Sequence, residues 1–447
     1  MTERITWTSR WAFILVTIGS SVGLGNIWRF PYIAGTQGGS AFVVIYLFFV
    51  LLVGIPLLMA EIMIGRRGRG NPADAARNTA TESGRSPWWS LIGWTGMIGA
   101  LVILGYYSVV AGWIVDYFWK MLIGMRFDSQ EVAVAGFAAL QANPIELILC
   151  HSIFMALTVA VIARGVVSGI ERANRIMMPA LFLLLLLLTL WGGIVGDMKQ
   201  AAHFMFDFKP GDINREVVLS ALGHSFFSLS LGMGVIIVYG SYFKRGSSIA
   251  FASVWVALAG IMVGLLAGLA IFSLTFGYGL EPDSGAGLIL QTLPLTFAHM
   301  PGGRIFGSLF FLLVIFAAWT SAVSLLEPFT AWLVERAGLT RAKAALSAGL
   351  FSWLLGIGVC FSFNIWSEYR WFEKNLFELL DFWSTSIAMP LNGLAVAFFV
   401  GWVVRRHVAR DEIALSDRMF KVWQVVLRYL APLAILLIFA HSLGLLA

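Results

Sequence analysis

Charge is what this sequence lacks most. Of 447 residues, 12% are Asp, Glu, Lys or Arg and 59% are hydrophobic, with a mean hydropathy of +0.85. Soluble domains carry about 25% charged residues, so a sizeable soluble domain is excluded and a polytopic membrane protein remains. Cysteine is nearly absent. Cys150 and Cys360 both fall in or beside apolar segments, which reads as buried free thiols rather than a disulfide framework. No H-E-x-x-H pattern and no paired intramembrane carboxylates occur, so an intramembrane enzyme is not indicated. A cleavable signal peptide is not expected either. The first apolar segment follows Arg4 and Arg10 but runs on into Phe30-Pro31-Tyr32 without a small-residue cleavage site. The net charge of +6 sits in short loops and does not point to nucleic acid.

What is there is apolar sequence in lengths that cross a bilayer, for which about 20 residues suffice. Eleven candidate spans lie near 10–32, 40–65, 90–124, 145–163, 168–195, 217–243, 249–279, 304–336, 343–362, 373–403 and 424–445. Their basic residues set an orientation. Arg66, Arg67, Arg69, Arg77 and Arg85 follow span 2, and Arg164, Arg172 and Arg175 lie between spans 4 and 5. Lys244 and Arg245 follow span 6, Arg336, Arg341 and Lys343 follow span 8, and Arg405, Arg406 and Arg410 follow span 10. With alternating spans these all fall on one side, the cytoplasm by the positive-inside rule. The expectation is a multi-pass protein of the cell's inner (plasma) membrane, N-terminus cytoplasmic and C-terminus outside.

Two spans are interrupted where Leu and Val would be ordinary. Span 1 carries Gly19-Ser20-Ser21-Val22-Gly23-Leu24-Gly25-Asn26, and span 6 carries Phe226-Phe227-Ser228-Leu229-Ser230-Leu231-Gly232-Met233-Gly234. An unwound backbone in lipid survives only where it lines an enclosed or watery cavity. Breaks at matching places in two halves mark the binding site of a secondary transporter. Spans 1 and 6 run in opposite directions, so residues 1–195 and 217–403 read as inverted five-helix repeats. Residues 424–445 form an eleventh helix, and 280–303 read as short helices capping the outer face.

The breaks offer carbonyls, the hydroxyls of Ser20, Ser21, Ser228 and Ser230, and the Asn26 amide. Half-helix N-termini suit a carboxylate, whereas unwound carbonyls suit a hard cation such as sodium. Together they accommodate both ends of an amino acid and its coupling ion. Glu61 lies within apolar span 2, where insertion of a carboxylate costs roughly 2.5–3.5 kcal/mol. Its expected work is to accept loose N–H groups of the breaks. Tyr106 and Tyr107 place phenols in span 3. Thr320 and Ser321 in span 8 have the spacing of a sodium-ligating pair with a carbonyl at Ala317. Arg29 and Asp381 are scarce charges near the outer side.

The motifs GSSVGLGNIWRFPY, VGIPLLMAE, FFSLSLGMG, AAWTSA and LLDFW, in this order, resemble the neurotransmitter:sodium symporters over about residues 4–445. Bacterial members of that family include leucine and hydrophobic amino-acid transporters. The resemblance implies an all-α fold with an inverted 5+5 repeat, discontinuous helices 1 and 6, and sodium-driven symport. It places a second sodium site at Gly19, Val22, Ala317, Thr320 and Ser321. It places a substrate pocket at Ser20, Leu24, Gly25, Ile103, Tyr107, Phe227, Ser228, Ser230, Met233, Ser321 and Leu325. Tyr107 and Phe227 match the outer lid, Arg29 and Asp381 the outer gate, Arg4 and Glu335 the inner gate, and Trp7 its plug. Gly169 and Pro179 match a pattern in span 5 that lets water reach the second sodium site.

One departure stands out. The first sodium site is matched at Ser21, Asn26 and Ser228, but its span 7 ligand, Asn or Asp in the family, is Gly260 here. No Asn occurs between Arg245 and Gly302, and the only Asp there is Asp283. The anion site keeps Tyr46, but the family's Gln is His224, and Gly264 replaces an acid or hydroxyl. At least one sodium ion is thus implied, with the first sodium site either lost or rebuilt by His224 or water, and with the chloride site incomplete. No acid replaces Ser20, so the expected substrate carries its own carboxylate. Met233 leaves room for a large side chain, so a hydrophobic L-amino acid is expected, with aromatic ones such as Trp or Tyr among the candidates. The alternative is a non-transporting amino-acid sensor on the same fold.

Overall fold

The computed structural model describes residues 5–279 and 288–445. Arg4 of the expected inner gate, Asp283 and residues 280–287 of the expected outer cap lie outside the described residues. Among those described the chain is helical apart from short loops and one isolated bridge, Trp371 to Lys374.

The first long apolar segment is two helices, α1 (Arg10–Ser21) and α2 (Phe30–Thr36), joined through a π-helical turn Gly25–Arg29 and bent by 54°. Then come α3 (Ser40–Gly68), α4 (Pro72–Glu82), α5 (Pro87–Leu122), α6 (Gln130–Ala142), α7 (Pro144–Ala163) and α8 (Val166–Val195). The short α9 (Met198–Phe206) precedes α10 (Arg215–Phe227) and α11 (Val235–Ser241), which flank the second break. The rest are α12 (Ile249–Gly277), α13 (Leu293–His299), α14 (Gly303–Arg336), α15 (Arg341–Ser362), α16 (Leu376–Val403), α17 (Arg406–Ile413) and α18 (Asp417–Ser442). Nine of these are long and apolar enough to cross a membrane, and the bent pair α1–α2 makes ten. The expected sixth span is not among them, because Ser228–Gly234 divides it into pieces of 13 and 7 residues.

Polar residues start the helices where the sequence leaves the apolar runs. Ser9 accepts from Ala12 N at 3.0 Å, Asn214 from Val217 N at 2.9 Å, and Asn375 forms a reciprocal capping box with Glu378. Apolar side chains then sort by face. On α8, Met178, Leu181 and Leu185 are buried while Leu183, Leu190 and Ile194 point outward, as lipid contact allows. The interior is built from α5 along α14, α11 against α3, and α12 against α8.

Close approach is bought by small residues, as expected where lipid supplies no hydrophobic drive between helices. A Cβ on Gly240 would lie 2.7 Å from the Ile62 carbonyl, and one on Gly65 would overlap the Ile237 carbonyl. These contacts lock α11 to α3 beside the second break. At the end of α14 Arg336 pairs with Asp74 on α4 at 2.6 Å. Burial raises the Asp74 pKa, but hydrogen bonds from Arg336 and Asn71 and the charges of Arg336 and Arg77 outweigh it and hold it below the usual carboxylate value. A depressed carboxylate stabilises the fold above its unfolded pKa, and that contribution fades as pH falls through the folded one.

Gly65→Ala is expected to cost about 1–3 kcal/mol through overpacking and to lower the thermal midpoint in detergent. Gly211→Ala, where a Cβ meets nothing within 4 Å, leaves the midpoint unchanged.

Candidate functional site

The two breaks face each other at the centre of the molecule. After Ser21 the helix yields at Val22–Leu24 and resumes at Gly25. The glycines here are set by what they touch. A Cβ on Gly25 would fall 2.8 Å from the Phe227 ring, and one on Gly23 would press on the hydroxyls of Tyr107 and Ser321. In the second break Gly232 and Gly234 have φ of +79° and +70°, and Ser230 has φ of +54°. A left-handed serine costs on the order of 1–2 kcal/mol. Its hydroxyl donates to the Ser20 carbonyl at 2.9 Å, joining one break to the other.

The loose backbone groups are satisfied from outside the broken helices. Gly232 N donates to Glu61 Oε1 at 2.7 Å, and Gly232 O accepts from Asn392 Nδ2 at 2.8 Å. Asn392 Oδ1 in turn accepts from Thr95 at 2.8 Å. Leu24 N donates to the Tyr107 hydroxyl at 3.4 Å. Glu61 is fully buried, and its Oε2 has no partner among the described residues.

Between the breaks lies a small cavity. It is lined by Ser20, Ser21, Gly23, Leu24, Gly25, Ile103, Tyr107, Phe227, Ser230, Met233, Ser321 and Leu325. The lining is polar where the breaks and Tyr107 face it and apolar at Ile103, Met233 and Leu325. It leaves about 30 Å³ for the centres of water-sized spheres, so a bulky side chain enters only as its walls re-pack. Ser228 is not in the lining. Its hydroxyl donates to Ser225 O and accepts from Tyr46 at 3.2 Å. The Arg29 guanidinium lies 4.9 Å over the Phe227 ring, a cation–π contact beside the cavity. Among the described residues no ion pair joins Arg29 to Asp381. Outside Phe227 a second small cavity is lined by Arg29, Phe226, Thr385, Met389 and Pro390, among others.

On the cavity's other flank, oxygens of α1 and α14 converge. Ser321 Oγ donates to the carbonyls of Gly19 and Ser20 at 3.4 and 3.2 Å, and Thr320 Oγ1 donates to those of Phe316 and Ala317 at 3.1 Å. Val22 is buried at the end of α1. Every donor here is a neutral oxygen, the set a hard monovalent cation takes. No cluster of three His, Cys, Asp or Glu side chains occurs among the described residues.

Ser21 Oγ and Asn26 Oδ1 form another group, buried and without partners among the described residues. Asn26 Nδ2 donates to Gly260 O at 2.9 Å. Gly260 thus answers Asn26 with its backbone and offers no side-chain ligand. His224 is buried among Phe30, Phe42 and Tyr46, its ring centroid 5.2–5.9 Å from theirs. Neither of its ring nitrogens has a partner among the described residues. At Gly264 a Cβ would meet the Phe30 ring at 3.3 Å.

Beside the start of α1 Trp7 is fully buried, donates Nε1 to Tyr239 O at 3.1 Å, and meets Tyr239 and Tyr242 edge-on. Glu335 accepts from Asn71 N and Nδ2 at 2.7 and 3.0 Å. Gly169 sits in the π-helical turn Val166–Glu171, where a Cβ would overlap the Val161 carbonyl, and Pro179 lies inside α8. Two carboxylates here escaped the sequence reading. Glu171 accepts from Thr8 N at 3.1 Å and from the Thr8 hydroxyl. Glu327, fully buried, binds Arg341 and accepts from the Tyr242 hydroxyl at 2.8 Å. The rule that singled out Glu61, a carboxylate inside an apolar span, applies equally to Glu327.

A family model for the sodium:neurotransmitter symporter family matches residues 4–129 and 125–446. An uncharacterized sodium-dependent transporter of Bacillus subtilis is 37% identical over 99% of this chain and 98% of its own length. A Haemophilus influenzae sodium-dependent transporter, also uncharacterized, is 31% identical over 99% and 98%. Among solved structures, MhsT in complex with L-phenylalanine superposes with a TM-score of 0.90 at 38% identity, covering 98% of this chain and all of that one.

Glu61→Leu strands the Gly232 N–H and is expected to cost at least about 1–3 kcal/mol in thermal unfolding in detergent. Glu61→Gln keeps an acceptor and loses less. Equal losses would contradict the hydrogen-bonding role.

Proposed function

Because the chain belongs to the sodium:neurotransmitter symporter family, we propose that it carries a hydrophobic L-amino acid into the cell on a sodium gradient, by alternating access. Its relatives are sodium-dependent transporters, not enzymes, and its apolar helices make it a multi-pass membrane protein. The observation that carries the substrate and ion reading is one shared wall. Ser20 and Ser321 line the central cavity and also belong to the neutral oxygen cluster of Gly19–Val22 and Ala317–Ser321.

In this reading sodium occupies that cluster, held by the carbonyls of Gly19, Val22 and Ala317 and the hydroxyls of Thr320 and Ser321. The ion draws the Ser321 oxygen toward itself and ties α1 to α14, the two helices that must part for inward release. The amino acid lies in the cavity. Its carboxylate meets the N–H groups of the first break and the Tyr107 hydroxyl, where the half-helix dipole favours negative charge. Its side chain faces Ile103, Phe227, Met233 and Leu325. The phenylalanine complex of MhsT and the sodium-dependent neutral amino acid transporters among the mammalian relatives are consistent with such a substrate.

Phe227 and Arg29 close the outer side, and Trp7 with the Glu335 contacts closes the inner. Residues 1–195 and 217–403 would move against each other as inverted repeats around the fixed site, with the N-terminus in the cytoplasm and the C-terminus outside. The first sodium site, Ser21, Asn26 and Ser228, lacks a span 7 side chain. The Gly260 carbonyl is engaged by Asn26, so the second site is the coupling site. Tyr46 and His224 do not assemble a chloride site, because Ser228 answers Tyr46 and the imidazole stands among aromatic rings.

In proteoliposomes with an inward sodium gradient, labelled Leu, Phe, Trp or Tyr is expected to accumulate while Asp and Lys do not, and replacing sodium with potassium abolishes uptake. Ser321→Ala raises the sodium concentration for half-maximal uptake about tenfold, equivalent to about 1.4 kcal/mol. Sodium-independent uptake would overturn this reading. Tight amino-acid binding with no uptake would favour a sensor.

A further inference from the structure

Asn174 lies on α8, between the π-helical turn at Val166–Glu171 and Pro179, and its side chain is almost wholly buried. Nδ2 donates to the Ile170 carbonyl at 3.0 Å. That bond fixes the amide's orientation, because the oxygen cannot face a carbonyl. Oδ1 therefore points the other way, and it has no hydrogen-bond partner among the described residues. It points at the oxygen cluster. A Cβ built on Gly19 would overlap Asn174 Oδ1 and come within 3.3 Å of Thr320 Cβ. Gly19 and Thr320 both belong to the cluster.

A buried amide oxygen without a donor is a poor choice for packing and a good one for a hard cation. On the same helix, three residues earlier, Glu171 binds Thr8 N, just before α1 begins. α8 thus presents two oxygen-bearing side chains to α1, one at the cluster and one at the cytoplasmic end. Pro179 removes a backbone N–H from the turn between them and the helix centre, which leaves this part of α8 the more easily moved.

We propose that Asn174 Oδ1 is a further sodium ligand, which takes the ion on the α8 side of the cluster as it passes between the second site and the cytoplasm. This rests on the symport reading and adds a residue to it. The side chain serves transit rather than resting occupancy, because Ser321 and Thr320 already complete the cluster from α14.

The test uses 22Na+ alone on the purified full chain, with equilibrium binding and release after rapid dilution measured for four proteins. Asn174→Ala and Asn174→Leu are both expected to slow release about tenfold while half-saturation stays within about threefold of wild type. Asn174→Asp, which keeps an oxygen, releases at least as fast as Asn174→Ala and binds sodium more tightly than Asn174→Leu. Leu fills the volume of Asn without an oxygen, so wild-type release from Asn174→Leu would assign the residue to packing and overturn the proposal. Unchanged release from both Ala and Leu would overturn it as well. A wild-type chain that binds no sodium would overturn the symport reading and this one with it. Thermal midpoints of the variants separate loss of fold from loss of a ligand.

Discussion

Every feature of the centre of this protein follows from one constraint: a backbone unwound inside a membrane must find its hydrogen bonds in the protein. Seven residues, Ser228–Gly234, leave the helix between α10 and α11. Their bonds come from three directions. Glu61 takes the Gly232 N–H from α3, Asn392 answers its carbonyl from α16, and Ser230 turns back to Ser20 on the first break. The first break is held in the same manner by Tyr107 from α5 and Ser321 from α14. The broken segments are therefore suspended from the intact helices, and motion of those helices changes the shape of the cavity directly.

In the proposed symport that suspension also supplies the coupling. Ser20 and Ser321 border both the cavity and the oxygen cluster, so whatever fills one alters the other. In the proposed symport a sodium ion in the cluster would take carbonyls of the first break and a carboxylate in the cavity its N–H groups, so each would order the backbone that the other uses. Glu61 brings a carboxylate to the centre, where it accepts the Gly232 N–H. Other charges sit toward the two ends: Arg29 over Phe227 at one, and the Glu171, Glu327 and Glu335 contacts at the other.

Much of this was legible in the sequence, and for a physical reason. Gly and Ser are conspicuous inside apolar spans because lipid tolerates them only with a purpose, so both breaks and the helical membrane architecture could be read directly. Direction was harder. Ser228 and Ser230 are two apart in an irregular stretch, and only coordinates separate the one that turns to Tyr46 from the one that reaches Ser20. Gly23 looked like one glycine among several until its contact with Tyr107 and Ser321 was visible. The resemblance paired Arg29 with Asp381, whereas in the structure its guanidinium stands over the Phe227 ring. Glu327 was legible by the same rule as Glu61, a carboxylate inside an apolar span, and was passed over. Asn174 lies in no motif, and its meaning is in burial, which spacing does not report.

The most exposed point of the account is the number of ions. α12 presents Gly260, and its carbonyl already accepts from Asn26, so the account places the coupling ion in the second site alone. Each charge moved across the membrane is worth about 2.3 kcal/mol per 100 mV, so the count fixes how far the substrate can be concentrated. The reversal potential of sodium-coupled amino-acid flux in proteoliposomes measures that count. The account predicts one sodium ion for each amino acid, and a potential that requires two would contradict it.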